Sequence, residues 1–133
     1  MQPTLAWIVD DSPACSRLLA RRLGDAGAEV RAFSDAPPAL AELDETGPGS
    51  LPGLIVLDGE LPGCQGEDVA RDLRRRGYPG VIALLSGSPR ADESALRAAG
   101  IDAALVKPLT SGQAGRLIAA AARRVHRLAR EVA

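Results

Sequence analysis

Short aliphatic runs alternate with helical patterns five times along this chain, and that alternation restricts its fold more than any other feature. The runs are Leu5–Val9, Glu29–Phe33, Leu54–Leu57, Val81–Leu85 and Ala103–Val106. Four of them read as continuous aliphatic segments, the pattern of strands buried on both faces of a parallel sheet. The second, "EVRAF", alternates polar and apolar residues and suits an edge strand. Helical patterns are expected over Pro13–Ala26, Ala36–Leu43, Glu67–Arg76, Ala91–Ala99 and Ser111–Val132. Ser12 before Pro13 is an N-cap followed by a first-turn proline, and Gly27, Gly77 and Gly100 are stop signals. In the first helix Leu18, Leu19 and Leu23 share a face. In the last, Leu117, Ile118, Ala121, Val125 and Leu128 form a stripe, with Arg116, Arg123, Arg124, Arg127 and Arg130 on the other side.

Strand and helix alternating in this way imply βα units around a parallel sheet. Right-handed crossovers then give a (βα)5 doubly wound α/β three-layer sandwich. The 133 residues carry no internal repeat and no low-complexity tail, so one domain over 1–133 is expected, with its core running from about Leu5 to Leu128. Trp7, Phe33 and Tyr78 are the only aromatics. The core must therefore be aliphatic, and the chain lacks the stacking platforms that single-stranded nucleic acid requires. With 16 basic and 17 acidic residues there is no field to attract a polyanion. No apolar run approaches the roughly 18–20 residues of a membrane span, and "MQPTLAW" is not a secretory signal. Cys15 and Cys64 lie in unrelated contexts, which fits a reducing compartment. The expectation is a cytoplasmic domain with neither nucleic acid nor membrane as partner.

In such sheets ligands bind outside the carboxyl ends of the strands. Asp10 and Asp11 follow the first run, Asp58 the third, Ser86 the fourth, and Lys107-Pro108 the fifth. Three carboxylates, a hydroxyl and an ammonium thus converge on one rim. Carboxylates that crowd together repel unless a cation compensates. Mg²⁺, a hard dication, suits oxygen ligands of this kind: Asp10 and Asp11, with a backbone carbonyl offered at Glu60. A carboxylate beside that metal could act as nucleophile in phosphoryl transfer, with Lys107 and Ser86 meeting the transferred oxygens.

The paired Asp10-Asp11, Asp58 followed by "ELPGCQG", Ser86 after "VIALL", and "VKP" at Lys107-Pro108 resemble the receiver domain of two-component response regulators. The runs "VDDSPACSRLLARRL" and "AAGIDAALVKPL" are most similar to receivers attached to hybrid histidine kinases. The resemblance implies the flavodoxin-like strand order 2-1-3-4-5 and a cis bond at Lys107-Pro108. It implies that Asp58 accepts a phosphoryl group from a phosphohistidine on a sensor histidine kinase or a histidine phosphotransfer protein. Asp10, Asp11, Asp58 and the Glu60 carbonyl would hold Mg²⁺, while Ser86 and Lys107 would meet the phosphoryl oxygens. Such a domain is an enzyme only in catalysing its own phosphorylation and dephosphorylation. Its output would be a changed surface around the fourth helix, fifth strand and fifth helix, a surface through which a homodimer could also form. No output domain is expected in this chain.

One departure stands out. Three positions before the lysine the family usually carries Tyr or Phe, and here the residue is Ala104. Either the switch runs through backbone and loop movement, or the domain serves as a phosphoryl carrier. Glu60 and Ser88 occupy positions that tune dephosphorylation in the family. Taken singly, each motif has a plainer explanation. Asp10-Asp11 could cap the first helix, Asp58 could cap a turn, Cys64 could be an ordinary loop cysteine, and His126 a surface residue. Two other function classes remain: a phosphorylation-independent interaction module, and an aspartyl-phosphate hydrolase faintly echoed by "LDGEL".

Overall fold

The computed structural model describes residues 3–90 and 92–132, with side chains as far as Leu128. Five parallel strands form one sheet: β1 (Thr4–Val9), β2 (Ala28–Phe33), β3 (Leu54–Asp58), β4 (Val81–Ser86) and β5 (Ala103–Val106). Their order is β2-β1-β3-β4-β5, as the resemblance implied. The helices are α1 (Pro13–Asp25), α2 (Ala36–Glu45), α3 (Gly66–Arg75), α4 (Glu93–Ala98) and α5 (Ser111–Val132). Strand alternation then divides the core in two. Trp7, Val9, Ile55, Leu57, Ile82 and Leu84 point to one face, packing with α2, α3 and α4 residues such as Leu43, Leu73 and Leu96. Ile8, Leu54, Val56, Ala83 and Leu85 point to the other, against Leu19 and Leu23 of α1 and Leu117 and Ala121 of α5.

Local signals set most boundaries. Ser12 Oγ accepts the Cys15 amide at 3.3 Å, with Pro13 opening α1. Asp35 and Asp92 cap α2 and α4 through the amides of Ala36 and Ala95. Glu67–Arg76 moves by one residue, to Gly66–Arg75. The fourth helix shortens to Glu93–Ala98, and its expected first residue, Ala91, lies outside the described residues. The loop between α2 and β3 contains a 3-10 turn, Pro48–Ser50, and its end is pinned. The Gly53 amide donates to Leu5 O at 2.9 Å, and Tyr78 donates its buried hydroxyl to Pro52 O at 2.9 Å.

Three expectations need correction. Ala103–Val106 is not buried on both faces: Ala104 and Val106 are exposed, because β5 is an edge strand with β4 as its only partner among the described residues. Leu18 is 37% exposed and Val125 52%, so each apolar stripe is narrower than its spacing suggested. In α5 the stripe gains Ala114, which is fully buried. Finally, Arg124 does not join the solvent-facing arginines, and Arg130 lies outside the described side chains.

Arg124 instead reaches the amino-terminal end of the sheet. Its Nη2 donates to Asp102 Oδ1 at 2.9 Å, and its Nη1 to Asp102 Oδ2 and Gly80 O, both at 3.0 Å. Arg74, in the last turn of α3, donates to Asp102 Oδ2 at 3.0 Å and to the carbonyls of Gly100, Tyr78 and Gly80. Asp102 also accepts the Ile82 amide at 2.9 Å. One carboxylate thereby ties α3, β4, β5 and α5 together at the end of the sheet remote from Asp58. Its partial burial opposes the charge, but Arg124, the Ile82 amide and Arg74 outweigh that and hold the Asp102 carboxyl below the usual carboxylate range. A lowered folded value means stability that is present above the unfolded pKa, about 3.9, and lost as pH falls through the folded value. Asp102→Asn is therefore expected to cost about 1–2 kcal/mol at pH 7, discounted for partial exposure. Thermal unfolding of both proteins should show the gap closing below about pH 4.

Candidate functional site

The register of the sheet brings the rim residues together. Val9 pairs with Leu57, so Asp10 and Asp58 occupy the next step of adjacent strands. Asp58 pairs with Leu85, and Ser86 pairs with Val106, so each neighbouring strand delivers its polar residue one step further on. Side-chain direction then separates them. Asp10, Asp58 and Lys107 share the parity of Ile8, Val56 and Leu105, whereas Ser86 has the parity of Ile82 and Leu84. The side chains divide accordingly.

Lys107 Nζ lies 3.2 Å from Asp58 Oδ1 and 3.5 Å from Asp10 Oδ2. Asp58 Oδ1 also accepts the Glu60 amide at 3.1 Å, and Asp10 Oδ1 accepts the Ser12 amide at 2.9 Å. Asp10 is 2% exposed and Asp58 7%, while Asp11 lies open to solvent. One oxygen from each of these three carboxylates falls within 4.8 Å of the others. The Lys107-Pro108 bond that follows is cis.

The charges are strongly coupled. Burial, opposed by the Ser12 amide and reinforced by the charge of Asp58, holds the Asp10 carboxyl above its ordinary value. Burial works against the Lys107 ammonium, yet the Asp58 hydrogen bond and the charges of Asp10 and Asp58 prevail, so its pKa rises. Lys107 is thus held charged between two buried carboxylates. Asp10 Oδ2 is buried without a hydrogen bond, since 3.5 Å to Lys107 is ion-pair distance. An orphaned carboxylate oxygen beside two others fits a hard dication better than any further protein donor.

The remaining rim residues take less central places. Ser86 is 2% exposed, but its hydroxyl donates to Ser88 O at 2.5 Å rather than to Asp58. Glu60 projects largely into solvent, 65% exposed, with Arg90 Nη1 at 3.7 Å. Cys64, half-buried, lies on a two-residue hairpin pairing Glu60–Leu61 with Cys64–Gln65, an element the sequence did not announce. The loop closes tightly at Gly66, where a Cβ would sit 2.7 Å from Asp58 O and 2.3 Å from Leu84 Cδ1. His126 is exposed on α5. Arg90 was not singled out from the sequence. It stands four residues past Ser86, in no motif, and only the folded loop brings it beside Gly59.

A family model described as the response regulator receiver domain matches residues 6–121. The chain belongs to the response regulator receiver domain family. It is 32% identical over 108 residues to the sensory transduction protein RegX3 of Mycobacterium tuberculosis, covering 81% of this chain and 46% of that protein. It is 34% identical over 103 residues to the transcriptional regulatory protein AruR of Pseudomonas aeruginosa, covering 77% and 42%. The chain thus spans less than half the length of these curated relatives. Among solved structures, a receiver domain protein from Clostridium thermocellum superposes with a TM-score of 0.82 at 21% identity, covering 94% of this chain and 98% of that one. The response regulator TrrA of Thermotoga maritima, described in complex with Mg²⁺-BeF, superposes with a TM-score of 0.69 at 26% identity, covering 80% and 89%.

Because Asp10 is held above its ordinary value, ionising it costs the fold stability at neutral pH, a cost that a bound dication would offset. Asp10→Asn is expected to raise the thermal midpoint in chelator. It should also abolish most of the stabilisation that added Mg²⁺ gives the wild-type chain, as read by thermal unfolding across a Mg²⁺ titration.

Proposed function

We propose that this receiver domain is a phosphoacceptor switch in which Asp58 takes a phosphoryl group from a phosphohistidine. The donor is a sensor histidine kinase or a histidine phosphotransfer protein, and the compartment is the cytoplasm. No helix among the described residues is long and apolar enough to cross a membrane. The observation that carries the reading is the Lys107 ammonium 3.2 Å from Asp58 Oδ1, inside a cluster of three carboxylates at the carboxyl rim of the sheet. A structural ion pair would leave no reason for the second and third carboxylates.

The chemistry follows from the occupancy of Asp58. Its Oδ1 is held by Lys107 and by the Glu60 amide, which leaves Oδ2 to attack phosphorus. An O–P bond forms as the P–N bond of the phosphohistidine breaks, and the electron pair returns to the imidazole nitrogen. Lys107, already beside Asp58, would follow the transferred oxygens and stabilise their charge. Ser86 would give up its bond to Ser88 O and rotate its hydroxyl toward a phosphoryl oxygen. Asp10, Asp11, Asp58 and the Glu60 carbonyl are the groups that would hold Mg²⁺. Once bound, the ion neutralises the crowded carboxylates and the phosphoryl oxygens. The Mg²⁺-BeF complex of TrrA supports this, because beryllofluoride stands in for a phosphoryl group. The domain turns over only its own aspartyl phosphate. With Ala104 small and exposed at the edge, the change would leave through the β4–α4 loop and the surface of α4, β5 and α5.

Incubation with acetyl phosphate and Mg²⁺ should add the mass of one phosphoryl group, and Asp58→Asn should abolish the adduct. Intact mass spectrometry reads both. No adduct on the wild-type chain would favour a phosphorylation-independent interaction module. Repeated turnover of a generic phosphomonoester would favour a hydrolase.

A further inference from the structure

Beside the phosphoacceptor, one side chain has a place that neither the mechanism nor the motifs use. Arg90 is 19% exposed in the loop between β4 and α4, and its guanidinium lies against the loop that follows Asp58. Nη2 donates to Gly59 O at 2.9 Å. Nη1 is 3.7 Å from Glu60 Oε1, and Nε is 3.2 Å from Glu67 Oε2 in the first turn of α3, an ion pair without a hydrogen bond. Glu67 is itself only 22% exposed, so both partners of that pair are largely shielded. Residue 59 has room for the guanidinium only because it is glycine: a Cβ there would lie 2.5 Å from Arg90 Nη2 and 2.9 Å from Ser86 Cβ.

The consequence runs through a single peptide unit. Gly59 C=O and Glu60 N–H belong to the same planar trans peptide and point in opposite directions. The carbonyl is held by Arg90 and by the Gly66 amide at 3.0 Å, while the amide donates to Asp58 Oδ1 at 3.1 Å. Whatever fixes the carbonyl therefore aims the amide.

We propose that Arg90 is a positioning residue: by gripping the Gly59 carbonyl, paired with the shielded Glu67, it orients the Glu60 amide onto Asp58 Oδ1 and presents Oδ2 to the phosphoryl donor. A cationic donor also polarises the peptide and strengthens the amide's bond to the carboxylate. The inference rests on Asp58 being the phosphoacceptor.

The test uses the full chain, ¹⁵N-labelled, with acetyl phosphate and Mg²⁺ as the probe. In that reaction an O–P bond forms at Asp58, the P–O bond to acetate breaks, and acetate leaves with the electron pair. Arg90→Ala should slow labelling about tenfold, the loss of one charge-assisted hydrogen bond. The Glu60 amide should exchange with solvent about tenfold faster. The Ser12 amide, which donates to Asp10 in the same way, should not change. Glu67→Gln, which removes an anchor without touching the Gly59 carbonyl, should move the Glu60 amide in the same direction by a smaller amount. An unchanged Glu60 amide in either variant, equal changes at Glu60 and Ser12, or wild-type labelling by Arg90→Ala would each overturn the proposal. If the wild-type chain itself takes no phosphoryl group, the phosphoacceptor reading falls, and the amide comparison alone decides whether Arg90 aims the Glu60 peptide.

Discussion

The ammonium of Lys107, held between the buried carboxylates of Asp58 and Asp10, is the interaction on which the rim depends. Two carboxylates at 2% and 7% exposure would repel each other and favour protonation if nothing intervened. One cation satisfies part of both, and its own pKa rises as a result. The compensation is incomplete. Asp10 remains shifted upward and one of its oxygens has no hydrogen bond. That residual demand is the physical content of the site: it favours a second cation, and it makes added positive or negative charge at the rim consequential for the loops around it.

The sheet supplies the rigidity that this requires. Its central strands are almost entirely buried, and both faces are covered by helices packed through aliphatic side chains. At the opposite end, Asp102 joins α3, β4, β5 and α5 through Arg74 and Arg124. The two ends are thus built differently. The amino-terminal end carries a carboxylate fully engaged by two guanidinium groups and an amide. The carboxyl end carries carboxylates in excess of their partners. A locked end and an under-compensated end suit a domain whose chemistry alters one rim while the frame stays in place.

The loops between these strands carry the adjustable parts. Ser86 and Arg90 both belong to the β4 strand end and the loop beyond it: the Ser86 hydroxyl is turned to Ser88 O of its own loop, while Arg90 grips the Gly59 carbonyl after Asp58. Ala104 places a small, exposed side chain on the edge strand, leaving β5 open where it borders Arg90 and α4. The same loop thus holds the serine that would meet a phosphoryl oxygen and the arginine that grips the neighbouring peptide.

Much of this was legible without coordinates, for reasons that are local. Five aliphatic runs separated by helical periods specify a doubly wound sheet, because each pattern reflects only the residue's own element. Asp10, Asp11, Asp58, Ser86 and Lys107 could be assigned to one rim, because in a parallel sheet every strand ends on the same side. What only the tertiary structure decided depends on neighbours distant in sequence. Register set the side of the sheet on which Ser86 falls, and hence its bond to Ser88. The edge position of β5 exposed Ala104 and Val106 in a run that reads as buried. Arg124 looked like one more surface arginine until α5 docked its middle turns beside Asp102. Arg90 has no signature at all, because its partners, Gly59 and Glu67, come near only when two loops fold over each other. Sequence period determines which elements form and where they end, but a guanidinium's partners are fixed by the packing of whole elements, which no local pattern encodes.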